Sequence, residues 1–465
     1  MFAILVYVLF RPDELPNQAT TTAAIATWMA IWWATGAVNV AVTALLPVVI
    51  FPIAGIAPIA ETTQSYAHPI IYLFMGGFVM ALAIENSGLH KRVALIVFRL
   101  AGMNARAIVG GFIAAAAAIS MWVSNTSTAL MMLPIALSVV SVIRTSVTNL
   151  DETDIRNFEL SLLLGLAYGA SMGGVATLVG TPPNAFMAGF MQSTYGIEVD
   201  FARWMLIGIP LTVLMLPIIW LVLAKVLYPV NFSVSKQTVS HLSRMRSALG
   251  PPSPAEIRTS MLFAALIGGW VLRKPIAAWT GAAQLSDAGI AMAVAVLTFL
   301  VSSGKDGKAL IVWDDMKRLP WDVLVLFGGG LSLAGGVTSS GLAQWIGNLL
   351  APLGTMHIAI LVVTACALII FLTELTSNTA TTATFLPVIG ALAMQTGHNP
   401  LVLVAPATLA ASLAFMLPVA TPPNAVAFSS GRVPIPSMMR AGLILNLVGI
   451  VVLTIVSVVI VPVVF

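Results

Sequence analysis

The sequence predicts an all-α polytopic membrane protein with about 11 transmembrane helices, built as an inverted repeat of five crossings plus one re-entrant hairpin per half. Two unwound helices and a short N-terminal helix complete the expected fold. Three observations carry this expectation. Of the 465 residues, 59% are apolar and only 8% charged, against roughly 25% charged in a soluble domain. Matching motifs recur at a fixed spacing, which marks an internal duplication. Polar stretches interrupt the apolar runs at corresponding places in the two halves.

The duplication is legible residue by residue. Ser124-Asn125-Thr126 and Ser377-Asn378-Thr379 lie 253 residues apart, as do Leu73-Phe74-Met75-Gly76-Gly77 and Leu326-Phe327-Gly328-Gly329-Gly330. Ser87-Gly88-Leu89 with Ser340-Gly341-Leu342, and Leu133-Pro134 with Leu386-Pro387, keep the same offset. A second pair, Thr181-Pro182-Pro183-Asn184-Ala185 and Thr421-Pro422-Pro423-Asn424-Ala425, recurs at an offset of 240.

Taken in order, Met1 to Phe10 is apolar but lacks a basic leader and a cleavage site, so it reads as a truncated span rather than a signal peptide. Ten helical residues cover only about half of a roughly 30 Å hydrocarbon core. Residues 1–20 are therefore expected to hold this short span and a loop, 21–228 the first repeat, 229–258 a cytoplasmic linker around Pro251-Pro252-Ser253-Pro254, and 259–465 the second repeat. Apolar runs fall at about 21–36, 39–57, 69–87, 158–192 and 204–228, and again at about 259–272, 286–302, 322–340, 400–430 and 438–465. The Ser124 and Ser377 breaks sit inside further runs. Polar tips with Pro134 and Pro387 soon after them favour hairpins that stop partway, and the Pro-Pro pairs should unwind the later runs by removing amide donors. Five crossings per half invert the second half.

Charge tests that parity. With the N-terminus in the cytoplasm and the C-terminus outside a plasma (inner) membrane, 17 of the 21 Lys and Arg residues fall inside, leaving Arg11, Arg203, Arg273 and Lys274 outside. The net charge of +4 thus reports topology and argues against a nucleic-acid partner. Cys366 lies in an apolar run and reads as a packing residue. His68, His90, His241, His357 and His398 are isolated, and no nucleotide-binding loop is present, so enzyme readings have little to stand on. Gly328-Gly329-Gly330 points to close helix packing rather than to a nucleotide.

The breaks carry the chemistry. Ser, Thr and Asn oxygens with exposed carbonyls suit a hard cation such as sodium, and the amides of half-helix N-termini suit a carboxylate. None of the four motifs contains Lys or Arg, so a bound anion would be held by amides, hydroxyls, Asn side chains and neighbouring cations. A single Ser-Asn-Thr could be ordinary interhelical hydrogen bonding; two register-matched copies favour a binding role. Glu374, whose repeat counterpart is Met121, is the acidic residue deepest in an apolar run, and either a buried orienting carboxyl or a direct coupling role fits it. Glu85, at a span end, reads as interfacial.

On Ser124-Asn125-Thr126, Gly180-Thr181-Pro182-Pro183-Asn184, Ser377-Asn378-Thr379 and Ala420-Thr421-Pro422-Pro423-Asn424, in that order, the chain resembles the divalent anion/sodium symporter family over nearly its full length. The resemblance implies a homodimer in which a scaffold holds a mobile block that carries substrate across as an elevator, importing C4 dicarboxylates such as succinate, malate and fumarate with sodium ions. Carried over by motif, it implies a first sodium site at Ser120, Ser124, Asn125 and Gly180. A second would lie at Thr373, Thr376, Asn378 and Ala420. The substrate would touch Asn125, Thr126, Ser377, Asn378 and Thr379, with Thr181 and Thr421 beside it. This chain departs from the family pattern at its short first span, at Gly36 in place of an acidic residue and at Ser127 in place of alanine. A sodium-independent anion exchanger of the same fold and a passive anion channel remain alternative readings.

Overall fold

The computed structural model describes residues 15–99, 104–146, 151–234, 240, 244, 247–304 and 307–465; the expected short span at 1–10 lies outside them. Among the described residues the regular structure is helical. The repeat seen in the motifs is reproduced in the helices. Pro69–Ser87 and Trp321–Ser339 are each followed by a glycine with positive φ, Gly88 at 82° and Gly341 at 81°. That backbone region is cheap only for glycine. Leu89–Arg99 and Leu342–Leu350 then lead to the hairpins, whose arms are Ala105–Ser120 with Asn125–Ser146 and Ile358–Thr373 with Asn378–Gln395. The first arm of each hairpin is capped at the same repeat position: the Arg106 amide donates to Asn104 Oδ1 at 2.9 Å, and the Ala359 amide to His357 Nδ1 at 3.2 Å.

Each hairpin is followed by an interrupted helix, Glu152–Val175 resuming as Pro182–Tyr195 and Leu401–Ala410 resuming as Pro422–Ser429. Phe201–Leu221 and Ile435–Ile455 close the two halves, and both run into a π-helical turn, at Val222–Leu227 and Val456–Ile460. Asn17–Thr35 and the bent Val40–Ala44 and Leu46–Ile53 precede Pro69–Ser87, as Pro254–Val271 and Asp287–Leu300 precede Trp321–Ser339. Pro254–Val271 starts inside the stretch expected to be linker, opened by a capping box between Ser253 and Glu256.

Pro134 and Pro387 lie inside the second arm of each hairpin, where neighbouring helices and polar side chains can re-satisfy the carbonyls that proline frees. One expectation about proline is corrected. The Pro-Pro pairs do not sit in the unwound stretch. They open the resumed helices, where a missing amide costs nothing.

Packing around the first hairpin depends on small residues. Gly165, Gly169 and Gly173 put a bare stripe on Glu152–Val175 against the arm Ala105–Ser120, a small-residue seam that lets backbones approach. A Cβ on Gly169 would stand 2.7 Å from the Ile113 carbonyl oxygen, and one on Gly173 would meet the Ala117 carbonyl. Gly328, Gly329 and Gly330 pack on Tyr66, Ala44 and Phe186, the close approach expected of them. Cys366 is buried in the core.

Charged pairs form separate groups. One holds Arg92 with Glu256 at 2.8 Å, another Glu159 with Arg432 at 2.6 Å and Arg144 at 3.4 Å, and a third Glu85 with Arg318 at 2.7 Å. The three described basic residues that the charge rule leaves outside gather in one further cluster: Arg273 meets Glu198 at 2.7 Å and Asp287 at 3.2 Å, Lys274 meets Asp200 at 2.8 Å, and Arg203 lies 3.8 Å from Asp200. Burial alone would raise the Asp200 carboxyl, but the Lys274 hydrogen bond, the Arg203 amide and the nearby Arg273 outweigh it and hold the group below its ordinary range.

By length and composition six described helices can cross a membrane, or eight if each of two sharply bent pairs counts as one span. The expected figure of about 11 leaves out the hairpin arms and counts crossings that include the shorter apolar helices Val40–Ile53, Asp287–Leu300 and Leu401–Ala410.

The glycine seam is directly testable. Gly169→Val should destabilise the protein by roughly 1–3 kcal/mol through overpacking against main chain, read as a lower unfolding midpoint of purified protein in detergent. Gly268→Ala, where an added Cβ meets nothing within 4 Å, should leave the midpoint unchanged.

Candidate functional site

Each hairpin tip is closed by a hydroxyl five residues before its asparagine. Ser120 Oγ donates to Asn125 Oδ1 at 2.6 Å, and Thr373 Oγ1 donates to Asn378 Oδ1 at 2.7 Å. Both hydroxyls are buried behind the tip, while Asn125 and Asn378 are half-buried and open to the interior cavity. Thr373 Oγ1 also reaches the Ala411 carbonyl at 3.1 Å, tying the second tip to the second break. Ser124 caps its helix by accepting the Ser127 amide at 3.2 Å.

The breaks are braced by the asparagine of each Thr-Pro-Pro-Asn motif. Asn184 Nδ2 donates to the carbonyls of Thr177 at 2.8 Å, Gly174 at 3.2 Å and Val175 at 3.3 Å. Asn424 Nδ2 donates to Leu417 at 3.0 Å and Ala414 at 3.1 Å, the repeat-equivalent carbonyls. Both asparagines are fully buried. They give unwound backbone the partners that an apolar interior withholds. In the first break Thr177 Oγ1 donates to the Met121 carbonyl at 2.6 Å and accepts the Gly180 amide at 3.0 Å. Gly174 and Gly180 approach so closely that a Cβ on Gly174 would lie 2.5 Å from Asn125 Oδ1 and 3.0 Å from the Gly180 carbonyl oxygen.

The consequence is convergence. Helices starting at Asn125, Pro182, Asn378 and Pro422 all begin at one cavity of about 630 Å³. Helix N-termini carry partial positive charge, and unpaired amides there favour anions. The cavity wall includes Ser124, Asn125, Thr126, Gly180, Thr181, Ser377, Asn378, Thr379, Ala420 and Thr421, ten of the thirteen residues expected at the site. Ser120 and Thr373 stand behind it as supports. Thr376 is engaged elsewhere, with its hydroxyl 2.6 Å from Thr381 Oγ1 and 3.0 Å from the Leu372 carbonyl, so it is not part of the Thr373–Asn378 pair.

Several wall residues were not foreseen. Arg318, at the end of the 3-10 turn Trp313–Arg318, and Asp322, in the first turn of Trp321–Ser339, reach the cavity, and Arg318, paired with Glu85, also donates to Asn86 at 2.8 Å. No local signal marks them, because tertiary folding brings them there. The bracing role of Asn184 and Asn424 could have been read from their place in a repeated break.

The family described as sodium:sulfate symporter, transmembrane region, matches residues 1–465. The sodium-dependent dicarboxylate transporter SdcS of Staphylococcus aureus strain USA300 is 37% identical over 472 residues, covering 99% of this chain and 89% of the relative, and its counterpart from strain MRSA252 matches to the same extent. Among solved structures, the Alcanivorax borkumensis YdaH transporter superposes with a TM-score of 0.57 at 16% identity, covering 85% of this chain and 86% of that one. Neisseria gonorrhoeae MtrF, from a class of antimetabolite efflux pumps, superposes with a TM-score of 0.58 at 12% identity over 100% and 98% of the two chains. At such identities the likeness is one of fold. With its apolar helices, its paired breaks and a family match along its whole length, the chain is a multi-pass membrane transporter, not an enzyme, and belongs to the divalent anion/sodium symporter family.

Proposed function

We propose that this transporter imports C4 dicarboxylates such as succinate, malate and fumarate together with sodium ions. The carrying observation is the convergence of four helix starts and two identically closed Asn tips on one cavity whose break motifs hold no basic side chain. An anion placed there meets amides, hydroxyls and Asn side chains, and a dianion needs countercharge because burying it uncompensated is prohibitive. Oxygen clusters at the two tips supply it by holding sodium: Ser124, Asn125 and Gly180 with Ser120 behind them, and Asn378 and Ala420 with Thr373 behind them. The substrate lies between, against Thr126, Ser377 and Thr379, flanked by Thr181 and Thr421. The names of the SdcS relatives support both the ion and the substrate class.

The cavity extends to the Glu85–Arg318 pair, on the end that charge assigns to the cytoplasm, so this conformation faces inward. Hairpins and interrupted helices pack on one another through the glycine seam and the Thr373–Ala411 bond. They would move as a block against the remaining helices, an elevator in a homodimer. Two sodium ions with one dianion make the moving complex neutral.

Three measurements test this reading. Asn125→Ala and Asn378→Ala should each abolish labelled-succinate uptake into proteoliposomes while leaving the unfolding midpoint of the purified protein near wild type; wild-type uptake at low sodium would remove that residue from the cation sites. Thr379→Val, which keeps shape and removes a hydroxyl, should weaken succinate affinity by about 10- to 150-fold. Unchanged affinity would defeat the contact. Wild-type uptake should rise sigmoidally with sodium at fixed membrane potential, and efflux into sodium-free buffer should need no counter-substrate. A hyperbolic or absent sodium response with obligatory exchange would establish the exchanger instead, and conductance without saturation the channel.

A further inference from the structure

Beyond the asparagine they share, the two breaks are braced by different chemistry. In the second, the unwound stretch after Leu401–Ala410 presents the amides of Phe415, Met416 and Leu417, which no helix turn satisfies. One side chain accepts all three. Glu374 Oε1 takes the Phe415 amide at 2.8 Å and the Met416 amide at 2.9 Å, and Oε2 takes Met416 at 3.1 Å and Leu417 at 3.0 Å. A further donor, Asn446 Nδ2, reaches Oε1 at 2.7 Å from the helix Ile435–Ile455. Glu374 is only 3% exposed, and every one of these partners donates, so both oxygens act as acceptors.

The repeat counterpart of Glu374 is Met121, and there the clasp is reversed and neutral: the Met121 carbonyl accepts a hydroxyl from the break rather than a side chain accepting amides. Glu374 directly follows Thr373, whose hydroxyl holds Asn378, and it grips a loop three residues short of Ala420. Hydrogen bonds to a charged acceptor are the stronger kind, and losing the acceptor strands buried amides.

We infer that Glu374 is a positioning residue for the second cation site alone: it fixes the Phe415–Leu417 backbone against the Thr373–Asn378 tip, so this site is held by an acidic clasp and the first by a neutral one. This rests on the sodium-coupled reading above. Replacement by Gln puts an amide donor where backbone donors already point, which loosens the second break and leaves the first intact.

The test is succinate uptake into proteoliposomes against sodium concentration for wild type, Glu374→Gln, Asn446→Ala and Tyr168→Phe. Tyr168 Oη donates to the Phe415 carbonyl at 2.8 Å, so its variant loosens the same loop without touching the acidic clasp. Glu374→Gln should raise the half-saturating sodium concentration roughly tenfold or more and lower the sodium Hill coefficient towards one. Asn446→Ala should shift the midpoint in the same direction by a smaller factor, and it decides the matter if Glu374→Gln does not fold. Tyr168→Phe should keep the sodium midpoint within about twofold, since a neutral hydrogen bond contributes modestly. An unchanged midpoint in both clasp variants, or an equal shift in Tyr168→Phe, would overturn the inference and leave Glu374 a general fold support. Wild-type uptake indifferent to sodium would instead bring down the proposed function, and the inference with it.

Discussion

A main chain that leaves helical geometry inside an apolar environment must find partners for every amide and carbonyl it exposes. That constraint governs this protein. Four interruptions, two at hairpin tips and two within helices, are tolerated because polar side chains reach their main chain: Ser124 at the first tip, Thr376 at the second, Asn184 and Thr177 at the first break, Asn424, Glu374 and Thr373 at the second. Once the interruptions are satisfied from behind, their remaining faces are free to point at a common cavity. The cavity wall is thus the complement of the bracing. Each helix that restarts after a gap directs its positive end inward, so the cavity wall carries a positive bias from backbone geometry before any side chain is considered.

Much of this was written in the order of the residues. A constant offset between Ser124-Asn125-Thr126 and Ser377-Asn378-Thr379 located both tips, and ten of the residues expected around the site do line the cavity. What the sequence concealed falls into two kinds. Some features depend on tertiary placement: Arg318, from a polar 3-10 turn, and Asp322, from the first turn of Trp321–Ser339, come to the cavity. Others were local but ambiguous. The Pro-Pro pairs look like helix breakers, yet they open the resumed helices, since a missing amide costs little where no turn would have satisfied it. Gly165, Gly169 and Gly173 keep a four-residue rhythm that is easily passed over in a glycine-rich chain. Asn446, a lone amide in an apolar run, makes sense only beside Glu374.

The Glu374 alternatives left open by sequence are narrowed by geometry. Its oxygens are occupied by three backbone amides and an asparagine, which is the arrangement of an orienting group. The contrast with Met121 shows where a duplicated protein departs from symmetry. Helix limits, positive-φ glycines, π-helical turns and the asparagine brace of each break recur in both halves, while the second support of each break, Thr177 with Met121 in one and Glu374 with Asn446 in the other, does not.

That inequality bears on how such a chain can change over generations. If both breaks were braced by the same residue pair, an alteration in ion preference would need coordinated substitutions in the two halves, with each intermediate carrying a mismatched frame. Here the frame and its asparagine braces are common, and the remaining supports are separate. A lineage can therefore retune one break through the neighbourhood of Glu374 and Asn446 while Thr177 and Met121 preserve the other. Duplication fixed the architecture once, and divergence of the hidden supports leaves the cargo open to gradual revision.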